Sequence, residues 1–309
     1  MIYTLTLNPA VDRELLVDRI TFDTVLRAGE FRVDCGGKGF NVSRMLKALG
    51  VDSTALGFAA GKAGKFLNES LNDLGIHTDF VWVEGETRTN VSIVSAEDGH
   101  YVKANEPGPD ISPSDIETLL QKIRSLARHG DLWVLAGSLP PGVPVSIYRE
   151  TAQLLKSAGA RVIIDTSGES LVQSCKAAPF LVKPNDAEAR TLTGMKVDTP
   201  DELARAGRAI CAMGPEHVVI SMGKAGAMLV TEDAVWMAHS PEIAEQNPIG
   251  AGDSMVGGLV WGISRNLDMS EALCLGIACG ASTASRKGTD IGSLDQVNTL
   301  LARVKIAEL

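Results

Sequence analysis

The chain has 309 residues, 45% of them hydrophobic and 22% charged, with a formal net charge of -9, a globular composition able to bury a sizeable core. So acidic a chain presents no broad basic face, which excludes nucleic acid and anionic membrane as expected partners. Its five cysteines (Cys35, Cys175, Cys211, Cys274, Cys279) are scattered with no C-x-x-C pair, which speaks against a zinc site or disulfide framework and fits a reducing cytoplasm.

Met1–Leu7 reads as a strand followed by charge at Asp12-Arg13-Glu14, without the basic start of a signal peptide. Helices are expected at Asn41–Leu49 and Lys65–Leu74, with a strand at Ser53–Phe58 between them. Thr89–Lys103 alternates as an antiparallel hairpin, turning at Ala96-Glu97-Asp98-Gly99. Strand Asp131–Gly137, helix Ile147–Ala158, strand Arg161–Asp165, a short helix, strand Phe180–Lys183 and strand His217–Ser221 follow. Helices at Ser254–Ser264, Ser270–Ser285 and Leu294–Val304 end the series. Continuous apolar strands separated by helices predict an α/β fold: a mostly parallel sheet covered on both faces. The hairpin inside such a series predicts a small β lid, and no low-complexity linker divides the chain, so residues 1–309 form one domain.

The sharpest motif is Gly250-Ala251-Gly252-Asp253 ahead of an apolar, glycine-bearing helix. Small residues let the backbone turn, and the free N–H groups of the helix start make an anion site. Asp253 could be a simple cap; as a general base it would take a proton from an attacking hydroxyl while the amides hold a phosphoryl group. Gly36-Gly37-Lys38-Gly39-Phe40-Asn41 permits close backbone approach and supplies two donors, although a glycine-rich turn before a helix also fits. None of the four Gly-Lys pairs sits in a Walker A pattern, and no dinucleotide fingerprint is present.

Lys183-Pro184-Asn185-Asp186-Ala187-Glu188 closes a strand, with Asn185 and Glu188 one helical turn apart. That pair suits Mg²⁺ held through water, and equally an ordinary capping box. Ser221, Gly223 and Gly226 follow another strand and would let a nucleotide pass close, or form a hairpin turn. Asn8 and Asp12 leave the first strand and could bind sugar hydroxyls or cap a turn. Arg88 and Lys103 flank the hairpin and could meet a phosphate, or be a solvated pair.

Taken together, these residues resemble the ribokinase-like carbohydrate kinases, the PfkB family, from Met1 to the last helix. Thr6-Leu7-Asn8-Pro9-Ala10-Val11-Asp12, Asn105-Glu106-Pro107-Gly108-Pro109 and Gly137-Ser138-Leu139-Pro140-Pro141-Gly142 are similar to its phosphosugar branch. The resemblance implies Asp253 as catalytic base and the amides of Gly250, Ala251 and Gly252 as anion hole. It implies Asp12, Gly37, Lys38 and Asn41 at the sugar, with Arg88, Lys103 and Ser138 at its phosphate. Lys183, Asn185, Glu188, Ser221, Gly223 and Gly226 would serve ATP and Mg²⁺. A lid from roughly 10–35 and 88–105, and a homodimer through its strands, are likewise implied. The implied reaction is phosphorylation by ATP of fructose 1-phosphate to fructose 1,6-bisphosphate; tagatose 6-phosphate and fructose 6-phosphate are the alternative acceptors. A non-catalytic sugar-phosphate sensor and a nicotinamide-dependent dehydrogenase are the other classes; the intact Asp253 weighs against the first and the missing fingerprint against the second.

Overall fold

The computed structural model describes all 309 residues. The first third carries β1 (Ile2–Thr6), β2 (Ala10–Val17), β3 (Ala28–Gly36), α1 (Lys38–Ala48), β4 (Thr54–Ala60) and α2 (Gly61–Asp73). Two short strands, β5 (His77–Thr78) and β6 (Val81–Val83), lead to β7 (Arg88–Ser95) and β8 (Tyr101–Asn105). Next come α3 (Pro113–Leu126), β9 (Leu132–Ala136), α4 (Ile147–Ser157), β10 (Arg161–Asp165), α5 (Gly168–Cys175) and β11 (Leu181–Val182). Then follow α6 (Asp186–Thr193), α7 (Pro200–Cys211), β12 (His217–Ser221), β13 (Ala227–Val230) and β14 (Val235–His239). The chain closes with α8 (Ala251–Ser264), α9 (Met269–Ala284), α10 (Leu294–Leu301) and β15 (Lys305–Glu308).

Sequence periodicity builds these elements directly. β1, β9 and β10 are apolar runs buried on both faces, with alternate residues feeding two cores. Leu5, Trp133, Leu135, Val162 and Ile164 pack on one side with residues of α3, α4 and α7. Ile2, Leu132, Val134 and Ile163 pack on the other with α1, α8 and α9. Five helices start at reciprocal capping boxes, among them Ser112 with Asp115 ahead of α3 and Thr199 with Glu202 ahead of α7.

The main sheet runs β5-β4-β1-β9-β10-β11-β12 in parallel, with β6 pairing the far end of β4. Beyond β12 the expected parallel pattern gives way to the antiparallel strands β13, β14 and β15. The links Met222–Gly226 and Thr231–Ala234 are too short for the crossover a parallel strand requires. The expected last helix also stops at Leu301, and Lys305–Glu308 become an exposed edge strand instead.

A second sheet, β3-β2-β7-β8, forms the lid. The expected hairpin is there, with Ser92 opposite Lys103 and Asn90 opposite Asn105. β2 and β7 pair in parallel, Asp12 opposite Asn90. One lid row, Phe31–Leu15–Ile93–Val102, is apolar, with Phe31 68% and Val102 48% exposed. The carboxyl ends of β1, β9, β10, β11 and β12 deliver Asn8, Ser138, Asp165, Lys183 and Ser221 to one edge of the main sheet, where open α/β sheets take their ligands.

Candidate active site

Two helix N-termini meet at that edge. Gly37 precedes α1 with φ 136, a backbone region that favours glycine. The turn places Lys38 and Asn41 on the first turn of α1. Gly250, with φ 79, precedes α8 in the left-handed region. Asn41 Nδ2 donates to Asp253 Oδ2 at 2.8 Å, tying the two helices together. Arg44 in turn donates to Asn41 Oδ1 at 3.2 Å, which fixes the amide's orientation.

The anion hole differs in one amide from expectation. The Ala251 N–H donates to the Pro248 carbonyl at 3.1 Å and is already committed. The N–H groups of Gly250, Gly252 and Asp253 have no protein partner, so the free donors flank Ala251 rather than include it.

Behind this hole lies a charge cluster. Asp165, 1% exposed, accepts from Lys38 Nζ at 2.9 Å and faces Lys183 Nζ at 3.4 Å. A Cβ on Gly252 would sit 3.7 Å from Lys183 Nζ, so the lysine lies behind the start of α8. Burial works against the Lys38 charge, but Asp165 and Asp253 outweigh it and hold its pKa above the ordinary lysine value. Burial also opposes ionisation of Asp165, yet Lys183 and Lys38 keep its pKa below the usual carboxylate value. Asp253 goes the other way. Burial first, then the nearby Asp165 charge, raise it to about 6, against the opposing pull of Lys38, the Asn41 hydrogen bond and Lys183.

On the lid side, Arg88 Nη2 stands 3.5 Å from Ser138 Oγ and Nη1 stands 3.4 Å from the Glu106 carbonyl. Its buried Nε has no partner, and burial pulls its pKa below the ordinary guanidinium value, with Asp12 acting against it. Arg88 and Ser138 therefore stand together at one place. Lys103 belongs to another: it is opposite Ser92, four residues along β7 from Arg88, and lines a small cleft with Asp12 and Thr289. Asn8, one of the expected sugar contacts, instead uses its Nδ2 to hold the Pro107 carbonyl at 3.0 Å, clamping the exit of the lid.

On the other side of α8 a cavity of about 800 Å³ opens, lined by Ser221, Gly223, Ile243, Gly252, Ile277 and Ala281 among others. Its apolar walls suit a nucleotide base. Gly226 does not line it; its φ of 109 serves the β12–β13 turn, where a side chain would strike the Ala238 carbonyl. Asn185 and Glu188 do form the capping box of α6: Asn185 Oδ1 accepts from Glu188 N at 2.7 Å, and Glu188 Oε2 from Asn185 N at 2.9 Å. Glu188 Oε1 is left free of protein hydrogen bonds. No three His, Cys or carboxylate side chains are grouped to hold a metal by themselves. That donor set fits Mg²⁺, which keeps its waters and leans on one carboxylate and substrate phosphates.

Two residues escaped the sequence reading. Asp165 was visible only as the last residue of a strand; the signal was its place at a strand's carboxyl end, which marks ligand sites. Asn90 lay inside the hairpin, and nothing in its spacing linked it to Asp12.

The profile of the pfkB family of carbohydrate kinases matches residues 5–296. The chain is similar to a curated 1-phosphofructokinase of Bacillus subtilis, 39% identical over 100% of both chains. Among solved structures it is similar to phosphofructokinase-2 of Escherichia coli in complex with potassium, with a TM-score of 0.93 at 30% identity over 97% of this chain and 98% of that one. A tetrameric inhibited form of the same E. coli protein matches with a TM-score of 0.91 at 29% identity, covering 97% and 98%. With a family match across nearly its whole length, and with both helix starts of the site in place, the chain belongs to the pfkB family of carbohydrate kinases.

Proposed function

We propose that this chain transfers the γ-phosphoryl group of ATP to the C6 hydroxyl of fructose 1-phosphate, giving fructose 1,6-bisphosphate and ADP. The observation that carries the reading is Asp253: a buried carboxylate in the first turn of α8, beside free amides, with one oxygen held by Asn41 at 2.8 Å. Its other oxygen is left for a substrate hydroxyl. Fructose 1-phosphate carries a phosphate at one end and a primary hydroxyl at the other, which matches an anion locus at Arg88 and Ser138 and a base at Asp253. The relatives named 1-phosphofructokinase support the same acceptor.

The sugar's hydroxyl oxygen attacks the γ-phosphorus as its proton passes to Asp253, and the bond from phosphorus to the β,γ-bridging oxygen breaks to release ADP. The amides of Gly250, Gly252 and Asp253 hold the equatorial oxygens, while Lys183 and Lys38 supply positive charge from below. Glu188, with Asn185 beside it, would hold Mg²⁺ through water at the phosphates; when bound, the ion neutralises charge on the β- and γ-oxygens. Asp12 and Asn41 orient the sugar.

The apolar lid row Phe31–Leu15–Ile93–Val102 supports a homodimer built through the lid strands. The deciding experiment is a coupled ADP-release assay with Mg-ATP against fructose 1-phosphate, tagatose 6-phosphate and fructose 6-phosphate. Highest kcat/KM on fructose 1-phosphate supports the acceptor; preference for either other sugar replaces it. ATP binding without turnover on any of them would favour a sensor.

A further inference from the structure

Asp12 stands in a row of lid residues, with Asp34 opposite on β3 and Asn90 opposite on β7. Residues directly opposite on neighbouring strands share a face, and like charges placed so repel. Asn90 resolves the conflict on its side. It is 8% exposed, and its Nδ2 donates to Asp12 Oδ1 at 2.7 Å. The reverse flip would turn the amide oxygen toward a carboxylate, so chemistry fixes the amide's orientation. The second carboxylate oxygen, Oδ2, lies over the Gly36 backbone, where a side chain would collide with it. Both oxygens of Asp12 are thus placed, and the residue lines the cleft between the lid and the two loops that carry Ile249 and Thr289.

One feature of this arrangement is unfinished. Asn90 Oδ1 is buried and has no donor. Buried acceptors are normally satisfied, and an orphaned one is unfavourable. Turning the amide over to satisfy Oδ1 would break its bond to the carboxylate, so the orphaned oxygen is the cost of the hold on Asp12.

We propose that Asn90 is a positioning residue for sugar-phosphate recognition: its amide sets the Asp12 carboxylate to receive a sugar hydroxyl. The inference rests on the reading that Asp12 meets the sugar. Its effect falls on the sugar and not on the nucleotide, because neither residue lines the cavity beyond α8.

The test compares Asn90→Asp, which keeps the shape but replaces the donor with a second carboxylate facing Asp12, with Asn90→Ala and Asp12→Ala. KM for fructose 1-phosphate should rise about 10–100-fold in Asn90→Asp, the range of a hydrogen bond to a charged group. KM for ATP and kcat should stay within about twofold. A sugar KM within about twofold of the parent, or a parallel rise in KM for ATP, would overturn the proposal. Should Asn90→Ala fail to fold, the near-isosteric variant still decides. Asp12→Ala separates the two levels. If it leaves the sugar KM unchanged, the sugar role of Asp12 fails and the inference falls with it. If it raises that KM while Asn90→Asp does not, the inference alone is lost.

Discussion

Lys38 Nζ stands 2.9 Å from Asp165 Oδ1, joining the glycine-rich start of α1 to the end of β10 across 127 residues of sequence. The other oxygen of Asp165 faces Lys183 at 3.4 Å. One buried carboxylate therefore fixes two cations under the anion hole. Asp165→Asn should strand Lys183, 5% exposed, without its counter-charge. Removing one partner of a buried pair costs ~3–5 kcal/mol, a loss to be read from urea unfolding at pH 7.5.

The same carboxylate bears on pH dependence. Asp253 must be ionised to accept a proton, and its value is raised to about 6. The logarithm of kcat/KM should therefore fall with unit slope as pH drops below about 6. Since Asp165 is one cause of that rise, Asp165→Asn should move the acid limb to lower pH. A pH–rate profile of parent and variant checks both statements; an unmoved limb would show that Asp165 does not tune the base.

Asp253→Asn should separate activity from stability. Loss of the general base predicts a fall of ~10²–10⁴ in kcat. Stability should move the other way. The folded value of Asp253 lies above the unfolded one, so folding disfavours the ionised form; this penalty is absent well below pH 4 and complete above about pH 6. At pH 8 the asparagine variant should be more stable by roughly 1–3 kcal/mol, a gain that shrinks at pH 5. Denaturant titrations at the two pH values test the sign.

If the cavity beside α8 takes the nucleotide, filling it should act on ATP alone. Ala281 is 6% exposed and faces it from α9. Ala281→Leu adds volume to a tight wall at a cost of ~1–3 kcal/mol, so KM for ATP should rise by roughly 5–100-fold, while KM for the sugar phosphate holds. Initial-rate kinetics with each substrate varied separately would show it.

Phe31→Lys should break the proposed dimer. The substitution places a charge at the exposed β3 end of the apolar lid row, and light scattering after size exclusion should record half the parent's mass. A parent that runs as a monomer, or a variant of unchanged mass, would refute lid-mediated pairing.

Much of this molecule was legible before any coordinates. Arg161–Asp165 and His217–Ser221 coincide with β10 and β12, because strands buried on both faces read as unbroken apolar runs. Asp253 and Asn41 came from motifs whose small residues have a backbone purpose. What stayed hidden depends on distance. Nothing local ties Asp165 to Lys38, or Asn90 to Asp12, since these meet only when strands and helices remote in sequence assemble. Ala227–Val230 and Val235–His239 passed unread for another reason: apolar runs this short do not declare their direction, and only the brevity of their links makes them antiparallel. The spacing also gives no sign that the Ala251 amide, expected among the free donors, has a local partner in the Pro248 carbonyl.

The edge formed by β14 and β15 has a consequence for biosynthesis. β14 ends at His239, but the strand that covers its outer side, Lys305–Glu308, leaves the ribosome only some 66 residues later. Through that interval Val235-Trp236-Met237-Ala238 presents an open row of backbone donors and acceptors to any other nascent chain. Crowded polysomes and truncated messages would meet this hazard first, and a holding chaperone that binds short apolar strands would have its natural target there.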